Sequence, residues 1–180
     1  MSALRGAIFA VWVAFWLYWL VSAAGAKAGT RTRRTRPAGL SIIVLGFVLT
    51  RVFGTGSLVV HSPALRALGT AAFTCGIGLA VWARVHLGRN WGMPMSRKEE
   101  PELVTSGPYR FVRHPIYSGI LLAVLGTSLA TNAYWLIAVL VLGMYFIHSA
   151  KVEEGLMSDS FPTSYPSYRA RTKMLIPFVL

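Results

Sequence analysis

Charged residues are scarce in this chain. Asp, Glu, Lys and Arg make up 13% of its 180 residues, and only six residues are acidic. A typical soluble domain has about 25% charged residues, so this composition excludes an ordinary soluble protein. Cysteine is also nearly absent. The single Cys75 lies in an apolar segment, which rules out an intrachain disulfide and leaves the redox compartment open.

The sequence also has few of the patterns that mark common catalytic sites. Its His, Cys, Asp and Glu residues form no group with the spacing of metal ligands, so we predict no metal site. It carries no glycine-rich strand-to-helix fingerprint of the kind that binds dinucleotides. No arrangement of Ser, His and an acid points to a hydrolase.

Apolar sequence and positive charge are abundant. Hydrophobic residues make up 54% of the chain, and its formal net charge is +12. The basic residues lie between apolar runs and are not interleaved with aromatic residues as in a nucleic-acid-binding surface. This pattern is typical of a membrane protein oriented against an anionic inner leaflet, and it disfavours a nucleic-acid partner.

Apolar runs of roughly the length that spans a bilayer, about 20 residues, recur along the chain. Basic residues follow the first run rather than precede it, so we interpret it as a retained helix and not a signal peptide. The sequence predicts an all-α, polytopic integral membrane helical bundle with about five transmembrane helices. Small residues in the third run, Gly69, Ala71, Ala72, Gly76 and Gly78, favour close helix packing. The runs cover residues 6–26, 39–60, 64–86, 116–131 and 133–150.

The distribution of charge predicts the orientation. With five spans, one side of the membrane holds 15 of the 18 Lys and Arg residues and all six acids; the exceptions are Arg5, Arg51 and Arg66. By the positive-inside rule the N-terminus lies outside and the C-terminus lies in the cytoplasm, in what we expect to be the inner membrane of a bacterium. Arg51 interrupts a span and its role is left open, whereas we predict boundary anchors at Arg84, Arg97 and Lys98.

Polar residues concentrate at 103–119, just before the fourth apolar run. The pair at 107–108, Gly-Pro, predicts a turn, and Pro115 suits the first position of a helix whose N-cap is at or near His114. Gly119, one turn later, permits a ligand or a neighbouring helix to approach the backbone. An anion-binding site is expected at the N-terminus of this helix, formed by the backbone N–H groups of Ile116, Tyr117 and Ser118.

Two adjacent acids, Glu153 and Glu154, follow the last apolar run. Acids near a helix C-terminus are unfavourable with respect to the helix dipole, so we expect a cationic partner there: Arg110, Arg113 or a positively charged ligand. Three aromatic residues follow with helical spacing: Phe161, Tyr165 and Tyr168. For the two tyrosines, a role in the site and a place in an interfacial belt are both open.

Three blocks together resemble the isoprenylcysteine carboxyl methyltransferase and phospholipid methyltransferase superfamily of integral membrane enzymes. The first block is 103–109, Leu-Val-Thr-Ser-Gly-Pro-Tyr, and the second is 113–119, Arg-His-Pro-Ile-Tyr-Ser-Gly. The third is the acidic pair 153–154 with the aromatic tail and the Ile-Pro at 176–177. Their order and spacing across one helical hairpin match the family over roughly residues 80–180.

The resemblance implies that S-adenosylmethionine is the methyl donor and S-adenosylhomocysteine the product, in a cytoplasmic pocket covered by the C-terminal segment. Backbone N–H groups and His114 could hold the methionine carboxylate, and the glutamates could take the ribose hydroxyls or the ammonium group. Carried over residue by residue, the likeness nominates as donor-contacting residues Leu103, Val104, Gly107, Tyr109, His114, Tyr117, Glu153 and Glu154.

The acceptor is expected to be a hydrophobic or lipid-like molecule that enters from the bilayer and presents a carboxylate or an amine. Arg110 and Arg113 could orient an acceptor carboxylate or a lipid phosphate, and we prefer Arg113 because it directly precedes His114. An amine acceptor also needs a base, for which Glu154 is our candidate. We expect one membrane domain, 1–180, in which residues 1–87 lie on the acceptor side and 88–180 form the catalytic half.

Two departures from the family pattern are visible. Many relatives carry a histidine two residues before the Leu-Val-Thr run, where this chain has Pro101, so His86, Arg89 or backbone amides are candidates to supply that contact. The tail also contains Pro162 and Pro166, which alter its backbone.

Two other functions stay open at the level of sequence. Sterol reductases share an Arg-His-Pro-x-Tyr-x-Gly block and use NADPH, but they generally have an acid where this chain has Ile120. A small transporter or another non-enzymatic membrane protein would leave the acidic pair at 153–154 without a purpose.

Overall fold

The computed structural model describes residues 3–23, 29–31, 58–91, 96–98 and 102–177. The all-α prediction is confirmed, although two short strands, β1 (Gly29–Arg31) and β2 (Ser96–Lys98), pair antiparallel. The predicted second span, 39–60, falls almost entirely outside the described residues, and so does Arg51. The helices are α1 (Ala3–Ala23), α2 (Pro63–Leu87), α3 (Pro115–Ala130), α4 (Trp135–Ser160) and α5 (Ser164–Arg171).

Three of the described helices, α1, α2 and α4, are long and apolar enough to cross a membrane. Helix α3 is apolar but has only 16 residues, as its short apolar run predicts. Large apolar side chains on the outer faces of the bundle, among them Leu20 and Leu140, are more than 60% exposed. Such exposure is typical of helices that face lipid.

Helix α2 has local signals at both ends. Ser62 is its N-cap and accepts a hydrogen bond from the backbone N–H of Leu65 at 3.4 Å, and Pro63 occupies the first helical position. At the other end Gly88 has φ +54°, a left-handed conformation that glycine adopts without a steric penalty.

Helices α2 and α3 pack through glycine at very short range. Gly76 opposes Gly119 and Gly69 opposes Gly126, so the two helices run antiparallel. A Cβ atom added to Gly76 would lie 2.6 Å from the carbonyl oxygen of Gly119, which leaves no space for a side chain. The predicted packing role is therefore confirmed for Gly69 and Gly76. It is wrong for Gly78, whose added Cβ would meet nothing within 4 Å.

The predicted helical hairpin is present between α3 and α4. The side-chain oxygen of Asn132 accepts a hydrogen bond from the backbone N–H of Tyr134 at 3.1 Å, which forms the turn. The segment before α2 pairs with the same turn, because the N–H of Ala133 donates to the carbonyl of Leu58 at 2.9 Å.

The described contacts distinguish two ends of the bundle. At the hairpin end, the Arg5 guanidinium donates to the carbonyl of Thr131 at 3.4 Å. At the opposite end, Arg84 donates to the carbonyls of Ser22 at 2.6 Å and Gly88 at 2.9 Å. Through these bonds Arg84 connects α1 to the end of α2. Because Arg84 is buried, its prediction as a boundary anchor is wrong.

Candidate functional site

The site is built around the start of α3. His114 is the N-cap position and Pro115 the first helical residue, as the sequence predicts, although the His114 side chain makes no capping hydrogen bond. The N–H of Ser118 donates to the carbonyl of His114 at 3.1 Å, so Ser118 does not belong to the predicted anion-binding set. The N–H groups of Ile116 and Tyr117 precede this first intrahelical bond and have no acceptor within the helix.

The two glutamates reach this helix start from α4. That helix continues to Ser160, so Glu153 and Glu154 lie inside it and not near its C-terminus. The prediction of an unfavourable helix-dipole interaction is therefore wrong. The apolar run ends near residue 150, but the helix extends beyond it into polar sequence. The prediction of cationic partners for the pair is confirmed, because Arg113 and His114 contact them.

Glu154 is enclosed by positive groups. Arg113 Nε donates to Glu154 Oε1 at 2.7 Å, and His114 Nε2 lies 3.5 Å from the same oxygen. Arg169 Nε is 3.5 Å from the other oxygen, Oε2. The Glu154 side chain is only 5% exposed. A carboxylate buried this far depends on its cationic partners, because an unpaired charge in the interior is strongly destabilising.

Glu153 is the more accessible of the two acids. The Tyr117 hydroxyl donates to Glu153 Oε1 at 2.5 Å, and His114 Nδ1 lies 3.5 Å from Oε2. Its side chain is 25% exposed, five times the value for Glu154. Of the pair, Glu153 is therefore the acid that presents a surface to a ligand.

His114 stands between the two carboxylates. Burial alone would lower the pKa of His114, but hydrogen bonding and charge attraction from Glu153 and Glu154 outweigh burial and raise the pKa above its ordinary value. Its ring stacks on Tyr117 with centroids 5.5 Å apart, and Tyr117 stacks in turn on Phe146 at 4.4 Å. These contacts hold the His114 ring in a fixed orientation and favour its protonated form.

Arg113 also holds the C-terminal segment. Its Nη1 donates to the carbonyl oxygens of Arg169, at 3.3 Å, and of Thr172. The backbone N–H of Arg113 donates to the Lys173 carbonyl at 2.8 Å, and the Ser118 hydroxyl donates to the Leu175 carbonyl at 2.5 Å. The segment thus lies across the start of α3. The protein itself uses Nε and Nη1 of Arg113, which argues against the predicted contact between Arg113 and an acceptor.

The block at 103–109 borders the cluster and forms a wall of the site, the 103–109 wall. Its turn is a short 3-10 helix, Gly107–Arg110, that begins at Gly107 with φ +58°. Tyr109 is buried, and its hydroxyl donates to the Ala83 carbonyl at 3.4 Å. Burial, with smaller contributions from Tyr168 and Glu153, raises the pKa of the Tyr109 hydroxyl well above its ordinary value. Tyr109 therefore remains a neutral hydrogen-bond donor.

The tail tyrosines belong to the protein interior and not to an interfacial belt. Tyr165 and Tyr168 on α5 are 2% and 5% exposed. The Tyr168 hydroxyl donates to the carbonyl of Tyr109 at 2.7 Å, which ties the tail to the 103–109 wall. Burial raises the pKa of Tyr168 to about 12, so its hydroxyl stays protonated in any physiological medium.

The structure brings most of the predicted residues together, but not all of them. Arg113, His114, Tyr117, Glu153 and Glu154 form one connected cluster, and Tyr109 borders it. Val104 packs on the apolar core and Leu103 is partly buried. Arg110 is exposed, with its guanidinium 4.8 Å from the ring centroid of Phe111, and is not part of the cluster.

Sequence reasoning missed four participants. Ser118 lies within the second block and was treated only as a backbone donor. Arg169 and Thr172 lie in the tail without a motif, so only the folded structure shows their contacts with Glu154 and Arg113. His86 was considered only as a stand-in for a family histidine, yet it contacts the 103–109 wall at 2.9 Å through Ser106.

The fold is a helical membrane bundle with a cluster of His, Arg and Glu side chains at one end. The chain belongs to the phospholipid methyltransferase family, whose profile matches residues 64–164. This match begins earlier than the predicted likeness at about residue 80, so it includes nearly all of α2, and it ends before the C-terminal segment.

The curated relatives include methyltransferases and a metal-resistance protein. The chain is 30% identical over 164 residues to the cobalt-zinc-cadmium resistance protein CzcN of Cupriavidus metallidurans, covering 79% of this chain and 71% of CzcN. It is 31% identical to a methanethiol S-methyltransferase of a Pseudomonas species, covering 76% of this chain and 55% of that enzyme. It is 32% identical to the protein-S-isoprenylcysteine O-methyltransferase of Schizosaccharomyces pombe, covering 54% and 43%.

A solved structure shares the fold. The eukaryotic intramembrane Ras methyltransferase ICMT superposes with a TM-score of 0.57 and 26% sequence identity. The alignment covers 79% of this chain and 51% of that chain. Apart from CzcN, the chain thus spans about half the length of the relatives named here. It is an integral membrane protein related to membrane methyltransferases.

Proposed function

We propose that the protein is an S-adenosylmethionine-dependent methyltransferase that acts on a hydrophobic or lipid-like acceptor at the cytoplasmic face of the membrane. One observation carries the proposal. A partly exposed carboxylate, Glu153, stands beside the ring of His114 and the hydroxyl of Tyr117, at a helix start whose first backbone N–H groups have no acceptor within the helix.

The chemistry of this group of residues fits S-adenosylmethionine as the methyl donor. S-adenosylmethionine carries a sulfonium and an ammonium group, for which Glu153 is a complementary carboxylate, and a carboxylate that suits the N–H groups of Ile116 and Tyr117. His114, whose Nδ1 lies 3.5 Å from Glu153 Oε2, stays our candidate to contact the carboxylate of the methyl donor. When bound, the donor supplies an electrophilic methyl group.

The remaining proposed donor contacts come from the 103–109 wall. Leu103, Val104 and Tyr109 are partly or fully buried and offer apolar and aromatic surface for an adenine ring. Gly107 stays a proposed donor contact through its backbone atoms, on the side away from the His86 ring, which fills the space where a side chain would start. We assign Glu154 a positioning role, since its oxygens are occupied by Arg113, His114 and Arg169.

The acceptor decides which further residues act. A carboxylate acceptor, as the name isoprenylcysteine carboxyl methyltransferase indicates for the solved relative ICMT, is already a nucleophile and needs only orientation. A thiol, the acceptor that the name methanethiol S-methyltransferase indicates, or an amine must lose a proton. Glu153 replaces Glu154 as our candidate base because it is the more exposed. Arg110, which lies outside the cluster, is the candidate to orient an acceptor carboxylate or a lipid phosphate.

Calorimetric titration with S-adenosylhomocysteine tests the proposal. We expect the detergent-solubilised protein to bind it with micromolar affinity, and Glu153→Gln to weaken binding about tenfold, which corresponds to one charge-assisted hydrogen bond of about 1.4 kcal/mol. Asp159→Asn is the matched control, because Asp159 is an exposed acid on the same helix. An unchanged affinity in Glu153→Gln contradicts the assignment of Glu153.

The same titration distinguishes the alternatives. Binding of NADPH without binding of S-adenosylhomocysteine would establish a sterol-type reductase. Binding of neither would favour a non-enzymatic membrane protein; the relative CzcN is named for metal resistance and not for a methyltransferase activity. In the described residues no three His, Cys, Asp or Glu side chains are grouped so that they could hold a metal ion.

The orientation and the division of labour within the chain are also proposals. The positive-inside rule supports an external N-terminus in a bacterial inner membrane, with the site in the cytoplasm. Residues 1–87 would shape the acceptor path and 88–180 would bind the methyl donor. Helix α2 also supports the 103–109 wall, because the Ala83 carbonyl accepts the hydrogen bond of the Tyr109 hydroxyl. Protease protection of tags placed at either terminus in membrane vesicles measures the orientation.

A further inference from the structure

His86 is an exposed histidine at the last turn of α2, away from the Arg–His–Glu cluster. Its Nε2 lies 2.9 Å from the hydroxyl of Ser106, twenty residues further along the chain. The ring also lies nearly parallel to that of Tyr109, with centroids 6.4 Å apart. One side chain therefore contacts both sides of the turn at 106–109.

Between these two contacts the turn passes directly over the imidazole. A Cβ atom added to Gly107 would lie 2.7 Å from both Cε1 and Nε2 of His86, closer than real side chains approach. Gly107 also has φ +58°, which disfavours any residue with a side chain. The backbone of Gly107 therefore packs directly against the ring of His86.

A second hydrogen bond fixes the start of the same segment. Asn90 Nδ2, one turn beyond His86, donates to Glu102 Oε2 at 2.7 Å. The segment from 102 to 107 is therefore attached to the end of α2 at two points. The turn that follows has two backbone hydrogen bonds: Tyr109 N–H donates to the Ser106 carbonyl at 3.1 Å, and Phe111 N–H to the Pro108 carbonyl at 3.2 Å.

We propose that His86 is a positioning residue that holds the Ser106–Tyr109 turn in the conformation that binds the methyl donor, an inference that rests on the proposed function. His86 does not contact the donor itself. It fixes the position of the Gly107 backbone and the orientation of the Tyr109 ring. Without His86 the free protein would sample other conformations of the turn, and donor binding would be weaker because it would have to order the turn.

Hydrogen–deuterium exchange of the protein without any donor tests the positioning role directly. In His86→Ala we expect the amides of Tyr109 and Phe111 to exchange about fivefold faster, the factor that one typical hydrogen bond of about 1 kcal/mol represents. Exchange in α3 and α4 should not change. His61→Ala is the control, since His61 is an exposed histidine just before the other end of α2.

Two further variants separate the hydrogen bond from simple loss of packing. His86→Gln keeps a side-chain donor and acceptor that reach Ser106, so it should restore most of the slow exchange. The effects of Gly107→Ala and His86→Ala should be less than additive when combined, because removal of the ring makes space for the new methyl group. Unchanged exchange in His86→Ala, equally fast exchange in His86→Gln, or full additivity overturns the proposal.

Binding measurements connect the turn to the donor. We expect His86→Ala to raise the dissociation constant for S-adenosylhomocysteine about fivefold, in line with the exchange, and to raise KM for the donor without lowering kcat. An unchanged dissociation constant with faster exchange would contradict the link to the donor. If the wild-type protein binds no S-adenosylhomocysteine, the proposed function fails, while the exchange result still decides the contact between His86 and the turn.

Discussion

At the scale of single residues, Arg113 and Arg110 show how two neighbouring arginines acquire different roles. Both precede the same helix, and the sequence names both as candidates for the acceptor and for the acidic pair. In the structure Arg113 joins Glu154 to the C-terminal segment, whereas Arg110 lies exposed over Phe111. Glu154 lies 41 residues from Arg113, so the choice between the two arginines depends on the folded structure.

Replacement of these arginines should therefore affect stability very differently. Arg113→Ala leaves Glu154 with a buried, poorly compensated charge, and we expect it to lower the free energy of unfolding by about 3–5 kcal/mol. Arg110→Ala, an exposed change, should shift it by less than about 0.5 kcal/mol. Thermal unfolding in detergent, followed by circular dichroism, measures both. Similar losses in the two variants would contradict the assigned difference.

His114 predicts a specific dependence of stability on pH. Its pKa is raised in the folded protein above the value of about 6.5 in an unfolded chain. The folded state then binds the proton more tightly, so this stabilisation is fully present below pH 6.5 and is lost as the pH rises through the folded pKa. We expect the melting temperature to fall across that range in the wild type and less steeply in His114→Gln. A steeper fall in the variant would rule out the imidazolium.

At the scale of secondary-structure elements, the sequence located some helix boundaries better than others. Pro115 marks the start of α3 as predicted, because proline favours the first helical position. Pro63, which the apolar run 64–86 leaves out, also occupies the first position of its helix, α2. The end of α4 was placed near residue 150, where hydrophobicity falls, and not at Ser160. Hydrophobicity reports contact with lipid, and a helix continues as long as its backbone bonds and tertiary contacts sustain it.

The glycine contact between α2 and α3 can be tested with a matched pair on one helix. Gly76→Ala places a methyl group against the Gly119 carbonyl and should lower the free energy of unfolding by about 1–3 kcal/mol, as overpacking does. Gly78→Ala meets nothing within 4 Å and should be neutral or slightly stabilising. Thermal unfolding of both variants gives the comparison. Equal effects would mean that the close approach is absent.

At the scale of the whole molecule, the sequence predicted the family, the bundle and the pairing of the two polar blocks. It did not predict how the C-terminal segment lies across α3. That arrangement depends on bonds from Arg113, His114 and Ser118 to backbone carbonyls of residues 173–175 and nearby. Every residue has the same backbone carbonyl acceptor, so no pattern of side chains in the sequence predicts which carbonyls accept these bonds.

Removal of residues 172–180 should show what this segment contributes. The truncated chain loses backbone acceptors for Arg113, His114 and Ser118. We expect it to keep its helical circular dichroism, because α1 to α4 are intact, and to lose at least tenfold in affinity for S-adenosylhomocysteine as the cluster becomes open to water. Calorimetry and circular dichroism on the same sample decide this, and full affinity after truncation would exclude a role in binding.

For the proposed function, the extension of α4 beyond its apolar run decides which acceptors can react. Glu153 lies three residues past Ala150, which corresponds to about 5 Å along a helix that rises 1.5 Å per residue. A hydrocarbon core that ends with the apolar run would place Glu153 in the layer of lipid headgroups. We therefore expect this site to accept amphiphiles that carry their reactive atom at the polar tip of the molecule, and to be indifferent to how long a tail remains in the bilayer.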